Sequence, residues 1–466
     1  MKHLSVFPLF LLLFVFSCGP KQVVDSTIII AGQFFNSESK EVEIYMGNDS
    51  EFFPLAEDGH FLIGLEIDDY RTFQLGTDRR SFELFMVPGD SIYVTADAKD
   101  FRNSFQASGD RIAENTYLVE KTRSYFESNM MDLFEKDKDE YFEVKNGFFA
   151  DQRKHFDQLK QAQEIHPGFL KLEEAYFEYT PLSFDIYYLN SQAFFKNLTK
   201  EELDFPMEEL KAKLAEIDLG RSDLLIEGSY TAIISHLLGE KTKEISNHDT
   251  TLQNTPEGNE RAAFLAMEEL LENPAVKDFF LFRHLMENLQ FKGLEAAKPS
   301  IEKFQAENQS PKLVSKLEKE LKKWDAIMPG MEIPDFSFED ISGEMVQLSN
   351  LKGTLVYIDI WATWCKPCIE EHPYWDQLKA DYEDQPVSFL TISIDENKEA
   401  WEKMVISKNM EGLQWIAEKA WRSDLNLHFM VNSIPRFILL DGEGKIIDPN
   451  AERPSGDIWK TLDQFL

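Results

Sequence analysis

The chain has 466 residues, a length that allows roughly two to four domains and more than one buried core. With 43% apolar and 28% charged residues it is a globular chain and not a disordered one. Its 83 acidic against 48 basic side chains give a formal charge of -35, which repels phosphate backbones at long range and argues against nucleic acid as a partner. A solvated, self-repelling surface accounts for that acidity without a dedicated basic partner.

Lys2 gives a positive start, and Leu4 to Phe16 form an almost unbroken apolar run of 13 residues. A spanning helix needs about 20 residues, so the run fits a secretory signal over residues 1–17. Ser17-Cys18 resembles the lipobox of bacterial lipoproteins, in which the cysteine is acylated and becomes the new N-terminus. That resemblance implies lipid attachment at Cys18 and a mature body in the cell envelope, facing the periplasm from the inner or the outer membrane. An ordinary cleaved signal peptide or a simple anchor helix is the alternative. No later segment has an apolar run long enough to span a bilayer.

From 27 to 109 short runs alternate apolar and polar residues: Val42, Ile44 and Met46; Phe61, Ile63, Leu65 and Ile67; Phe82, Leu84 and Met86; Ile92, Val94 and Ala96. Turn signals such as Glu57-Asp58-Gly59 and Pro88-Gly89-Asp90 separate them, and this pattern predicts an antiparallel all-β sandwich or small barrel. From 110 to 325 the pattern becomes helical. Thr255-Pro256, Asn273-Pro274 and Ser310-Pro311 each put a capping side chain before a Pro at the first helical position. After Ser310, Leu313, Val314, Leu317, Leu321 and Trp324 fall on one stripe, which reads as core. Histidines 155, 166, 236, 248 and 284 are scattered without metal-ligand spacing, so no metal is expected.

A third region, 330 to 466, follows Met328-Pro329-Gly330. Strands are predicted at Leu355 to Ile360, Val387 to Ile394, Phe437 to Leu440 and Lys445 to Ile447, with helices from Cys368 to about Tyr382 and from Ile458 to Phe465. That order makes an α/β sandwich. The stretch from Asn397 to Asn426 reads as a structural insertion. Cys365-Lys366-Pro367-Cys368 opens the first of these helices, and a Cys-x-x-Cys pair in that place is a redox device.

Asp359 six positions before Cys365, Trp361, Trp364, the cysteine pair, Pro373, and Val431-Asn432-Ser433-Ile434-Pro435 before a strand together look like a thioredoxin fold. Gly330-x-x-Ile-Pro-Asp-Phe336, Leu348-x-x-Leu-Lys-Gly353 and Glu371 two before Pro373 are similar to the exported TlpA/ResA-type thiol-disulfide oxidoreductases. The resemblance covers about the last 135 residues, and the upstream regions resemble the extensions of some TlpA-like lipoproteins by far less specific motifs. It implies a redox-active Cys365-Cys368 disulfide in place of a bound cofactor. It also implies a cis peptide at Ile434-Pro435, beside which an extended substrate segment pairs.

Cys365 at a helix N-terminus, with Lys366 beside it, is set up as a thiolate. Lowering a thiol from ~8.5 to ~7 needs about 2 kcal/mol, within reach of the helix end and a cation together. Cys365 is therefore the expected nucleophile and Cys368, a turn further in, the resolving thiol. Asp359, the family's buried acid, and Glu371 compete as proton acceptor, and Glu371 reads equally well as an exposed helix carboxylate. Trp364, Ile434 and Pro435 are expected to frame the substrate, whereas Trp361 reads as well as core.

Haem attachment would need His directly after Cys368, where Ile369 stands. A peroxidase resembling Pro-x-x-x-Thr-x-x-Cys would want Pro and Thr where Ile358 and Ala362 stand. The sequence therefore predicts an extracytoplasmic thiol-disulfide oxidoreductase that reduces protein disulfides. Its electrons are expected from another thiol protein at the membrane, since no nucleotide or flavin motif is present. An envelope peptide- or protein-binding lipoprotein with a secondary redox role, or a thiol peroxidase, is the alternative.

Overall fold

A computed structural model describes residues 26–466 apart from positions 48, 131, 197, 200, 201, 254 and 309. The signal segment and Cys18 lie outside the described residues. Compactness divides the chain into two units, one running to Ile217 and taking in Asp223–Ile234, the other made of Asp218–Ser222 and Ser235–Leu466.

The first unit opens with β1 (Thr27–Phe35), β2 (Glu41–Met46), β3 (Asp49–Pro54), β4 (His60–Glu66), β5 (Arg71–Thr77), β6 (Arg80–Met86) and β7 (Ser91–Asp97). A short helix α1 (Phe101–Ser104) and β8 (Gln106–Gly109) follow. The strands form two four-stranded sheets in the orders β4-β1-β7-β8 and β3-β2-β5-β6. Because successive strand side chains alternate in direction, one face of each sheet collects the apolar residues. Ile28, Ile30 and Phe34 of β1 thus share a core with Val42, Ile44, Phe61, Ile63, Leu75, Phe82, Leu84 and Val94. The sandwich is present but not wholly antiparallel, since β1 and β7 run parallel from Ile29↔Ser91 to Phe35↔Asp97. Tight turns join only sequence neighbours antiparallel; β7 returns to β1 after the chain has crossed to the other sheet, and so enters in the same direction.

Five helices follow: α2 (Ile112–Glu127), α3 (Lys138–Ala162), α4 (Pro167–Lys196), α5 (Met207–Ala215) and α6 (Gly228–His248), the last divided between the two units. Helix α2 covers β6, an edge strand whose outward peptide groups would otherwise stand unpaired. The fully buried Asn115 does the pairing, accepting from the Phe85 N–H at 2.8 Å and donating to its carbonyl at 3.0 Å. Asn115→Leu should therefore cost about 2–4 kcal/mol, as two buried backbone groups lose their partners, and urea unfolding of the chain would measure it. Further in, Tyr117 and Lys121 of α2 converge on Glu173 of α4, and Tyr141 and Lys145 of α3 converge on Asp185 of α4. A Tyr-x-x-x-Lys pair is thus used twice, each time to pin a helix to α4 through one buried carboxylate.

In the second unit α7 (Pro256–Leu270), α8 (Pro274–Glu307) and α9 (Pro311–Asp325) each begin as the sequence predicts. Thr255, Asn273 and Ser310 cap them by accepting from the N–H groups of Gly258, Ala275 and Leu313, with Pro at the first turn. Helix α8 breaks at Gly293, whose φ of 85° needs a residue without a Cβ.

The rest of the unit is one sheet with flanking helices. It comprises β9 (Ser337–Asp340), β10 (Met345–Gln347), β11 (Leu355–Trp361), α10 (Lys366–Asp381), β12 (Val387–Ser393) and α11 (Lys398–Ser407). The chain continues through β13 (Leu413–Ile416), α12 (Asp424–His428), β14 (Arg436–Leu440), β15 (Ile446–Asp448) and α13 (Ile458–Phe465). The seven strands run in the order β10-β9-β13-β12-β11-β14-β15. β11 sits inside the sheet, buried along its whole length, as its unbroken apolar run requires. The stretch from Asn397 to Asn426, which the sequence reads as a structural insertion, is regular structure that extends the sheet. It supplies α11 and β13, and β13 adds to β12 in parallel through the crossover that a parallel pair demands. The strand escapes a sequence reading because it is only four residues long and includes the polar Gln414, which bonds sideways to Thr391.

Candidate functional site

β11 delivers the chain to the C-terminal end of the inner strands, where Ala362, Thr363 and Trp364 turn it into α10. The turn is fixed by Asp395, just past the end of β12. Its carboxylate accepts from the Thr363 N–H at 2.9 Å, the Thr363 hydroxyl at 2.7 Å and the Ser393 hydroxyl at 2.7 Å. Cys365 is the N-cap of α10, and its Sγ accepts from the Cys368 N–H at 3.2 Å. The sulfur therefore stands where the unpaired N–H groups of a helix end favour negative charge. Cys365 and Cys368 are joined by a disulfide with Cα atoms 5.3 Å apart. The two sulfurs differ in reach, since Cys365 keeps 4% of its surface and Cys368 none. Lys366 points into solvent with its Nζ 3.9 Å from Glu370, so solvent screens the expected cationic neighbour.

Two buried carboxylates lie on the elements that flank the pair, Asp359 on β11 and Glu371 on α10. Tyr357, Asp359 and Trp361 share one face of β11. Tyr357 stacks on Trp375 of α10 at 5.2 Å and Trp361 meets His372 of α10 edge-on at 4.9 Å, so Asp359, between them, is turned toward the same helix. Along α10 the buried face is Cys368, Glu371, Trp375 and Leu378. Asp359 is 1% exposed and its Oδ1 has no hydrogen-bond partner among the described residues. Burial, reinforced by the Glu371 charge, pushes its carboxyl well above the usual carboxylate range.

Glu371 is not the exposed helix carboxylate that one sequence reading allowed. It is buried, and it accepts from the Ser455 hydroxyl at 2.9 Å and the Ser455 N–H at 3.1 Å, with an Arg453 Nη 3.8 Å away. Both of its oxygens are engaged from a loop 84 residues on, while Asp359 keeps an oxygen free. Trp361 is fully buried and belongs to the core. His372 is half-buried, and burial pulls its imidazole below the ordinary histidine range.

The remaining predicted residues are placed as follows. The Ile434-Pro435 bond is cis, in the loop that leads into β14 beside β11. Trp364 is 58% exposed and faces Trp421, with ring centroids 6.1 Å apart. Trp421, Asp395, Ser455 and Arg453 went unread in the sequence because each reaches the site across tens of residues and none belongs to a local motif. Asp395 alone left a trace, as a carboxylate just after the buried strand β12.

Residues 328–462 match the Redoxin family. The chain is 31% identical over 119 residues to the thiol-disulfide oxidoreductase ResA of Bacillus thuringiensis strain Al Hakam, a match over 26% of this chain and 67% of that one. To ResA of Bacillus subtilis strain 168 it is 28% identical over 123 residues, again 26% and 67% of the two chains. It is also similar to the thioredoxin domain of a thiol-disulfide oxidoreductase from Bacteroides vulgatus, at 27% identity and a TM-score of 0.28, over 30% of this chain and 97% of that one. With the ResA relatives and the cysteine pair at the head of α10, the chain belongs to the TlpA/ResA-type thioredoxin-like thiol-disulfide oxidoreductases.

Proposed function

We propose that the chain is an extracytoplasmic reductant of protein disulfides, held at the membrane by a lipid on Cys18. The observation that carries the chemistry is the asymmetry of the pair, in which Cys365, on a helix N-terminus, keeps a small exposed area and Cys368 keeps none. In the reduced protein the Cys365 thiolate attacks a substrate disulfide, forming a mixed disulfide and releasing one substrate sulfur as a thiolate, which takes a proton from water. Cys368 then gives its proton to Asp359 and attacks the Cys365 sulfur. The second substrate thiolate leaves, the substrate has gained two electrons, and Cys365-Cys368 is oxidised. A donor dithiol reverses these steps on the protein, and Asp359 returns its proton to the Cys368 sulfur as that thiolate is freed. Burial raises the affinity of the Asp359 carboxylate for a proton, so once ionised it is a stronger acceptor than an exposed carboxylate.

Glu371 acts on this exchange through its charge, since both its oxygens are held by Ser455. In Glu371→Gln the charge that raises Asp359 is gone, so the pH profile of the resolving step should shift to lower pH while keeping its shape. Stopped-flow exchange across pH measures this, and an unchanged profile contradicts it. The envelope placement is consistent with the described residues, among which no helix is long and apolar enough to cross a membrane. Fatty-acid labelling of the expressed chain should vanish in Cys18→Ser.

The activity itself is tested by mixing the pre-reduced chain with a disulfide-bonded protein and counting thiols. One substrate disulfide should open per chain as Cys365-Cys368 closes. No transfer, with the chain's own thiols still free, would contradict the proposal.

A further inference from the structure

Trp364 is exposed over 58% of its surface, which is unusual for so large an apolar side chain, and it directly precedes the reactive Cys365. Its ring faces Trp421, half-buried, at a centroid distance of 6.1 Å and an angle of 40°. Trp421 is carried by a turn that bends the backbone sharply. Lys419 and Ala420, in succession before it, adopt φ values of 66° and 50°, a region that residues with a Cβ avoid. The turn is held there from several sides: the buried Asn426 donates its side-chain N–H to the Ala420 carbonyl at 3.2 Å, and the N–H groups of Arg422 and Ser423 bond back to Lys419 and Ala420 at 2.9 and 3.1 Å. A strained turn kept by so many bonds marks a place where the direction of a side chain matters. This turn aims the Trp421 indole at Trp364.

We infer that Trp364 and Trp421 form a shelf that selects substrate disulfides whose cysteine is flanked by an apolar side chain. This rests on Cys365 being the attacking sulfur. Any substrate disulfide must reach Cys365, because Cys368 has no exposed surface, and the residues beside the substrate cysteine then pass over the side chain next to Cys365, which is Trp364. The charges in the two segments that meet at the shelf are of both signs, with Lys366, Lys419, Glu370, Glu418 and Asp424 exposed and Arg422 half-buried. What distinguishes the rim is the pair of indoles, which together offer a broad apolar contact.

The test uses two disulfide-linked hexapeptides that differ only in Phe or Gly beside the cysteine. The wild-type reduced chain should prefer the Phe peptide in kcat/KM. Trp421→Ala should shrink that preference by about 3- to 10-fold, the size of an aromatic contact, and Trp421→Phe should keep most of it. If Trp421→Ala slows both peptides equally and leaves their ratio unchanged, Trp421 is structural and the shelf is wrong. If the wild-type chain fails to reduce even hydroxyethyl disulfide, the exchange chemistry at Cys365 fails, and that failure is distinct from loss of the ratio.

Discussion

Cys365→Ser is expected to abolish disulfide exchange, lowering the rate by at least about 10³-fold, because no other sulfur of the pair reaches solvent. Cys368→Ser should behave differently. Its Cys365 still attacks, but nothing behind it can resolve the product, so substrate should accumulate as a mixed disulfide on Cys365. Non-reducing electrophoresis and mass spectrometry of the two variants, incubated with an oxidised protein substrate, read both outcomes. Mixed disulfides on Cys368 in Cys365→Ser, and none on Cys365 in Cys368→Ser, would reverse the assigned roles.

The second large effect belongs to Asp359. Asn in its place keeps the shape and removes the proton carrier, so the resolving step should slow by about 10²-fold near neutral pH and lose its dependence on the Asp359 titration. The same change should make the protein more stable. Burial raises the folded-state pKa of Asp359, so between the unfolded value of about 3.9 and that raised value the native state holds a proton the unfolded chain has lost. Stability contributed by this group is complete below about pH 3.9 and declines as pH rises toward the folded value. Asn has no proton to lose, so the advantage of Asp359→Asn in melting temperature should be absent near pH 4 and grow as pH rises toward neutrality. Slower exchange together with higher stability is the signature of a carboxylate kept for chemistry at a cost to folding. Slower exchange with lower stability would mean that Asp359 is a structural anchor.

Much of the redox site was legible because its parts are local. The cysteine pair, the acid six residues before it and the Ile-Pro step before a strand are read from short stretches, and the structure puts each on the element expected. Glu371 was legible too, had the helix phase been followed. From Cys368 to Trp375 the buried face of α10 passes through position 371, whereas its neighbour Glu370 turns outward. What could not be read are partners that converge from far along the chain. Ser455 and Arg453 on Glu371, Asn115 on the edge of β6 and Trp421 on Trp364 carry no local periodicity, since a single hydrogen bond or ring contact leaves no repeating pattern. Sheet direction failed for the same reason at β1 and β7, whose pairing is decided by the path of the chain between them. The four-residue β13 was too short to register against its polar Gln414.

The direction of electron flow is the central claim, and the reduction potential of the Cys365/Cys368 couple tests it most directly. Equilibrating the pair against glutathione or dithiothreitol buffers, with thiol alkylation as the readout, should give a value at or below about -220 mV, in the range of protein reductants. A value above about -150 mV would place the couple among disulfide donors and contradict the reductase reading.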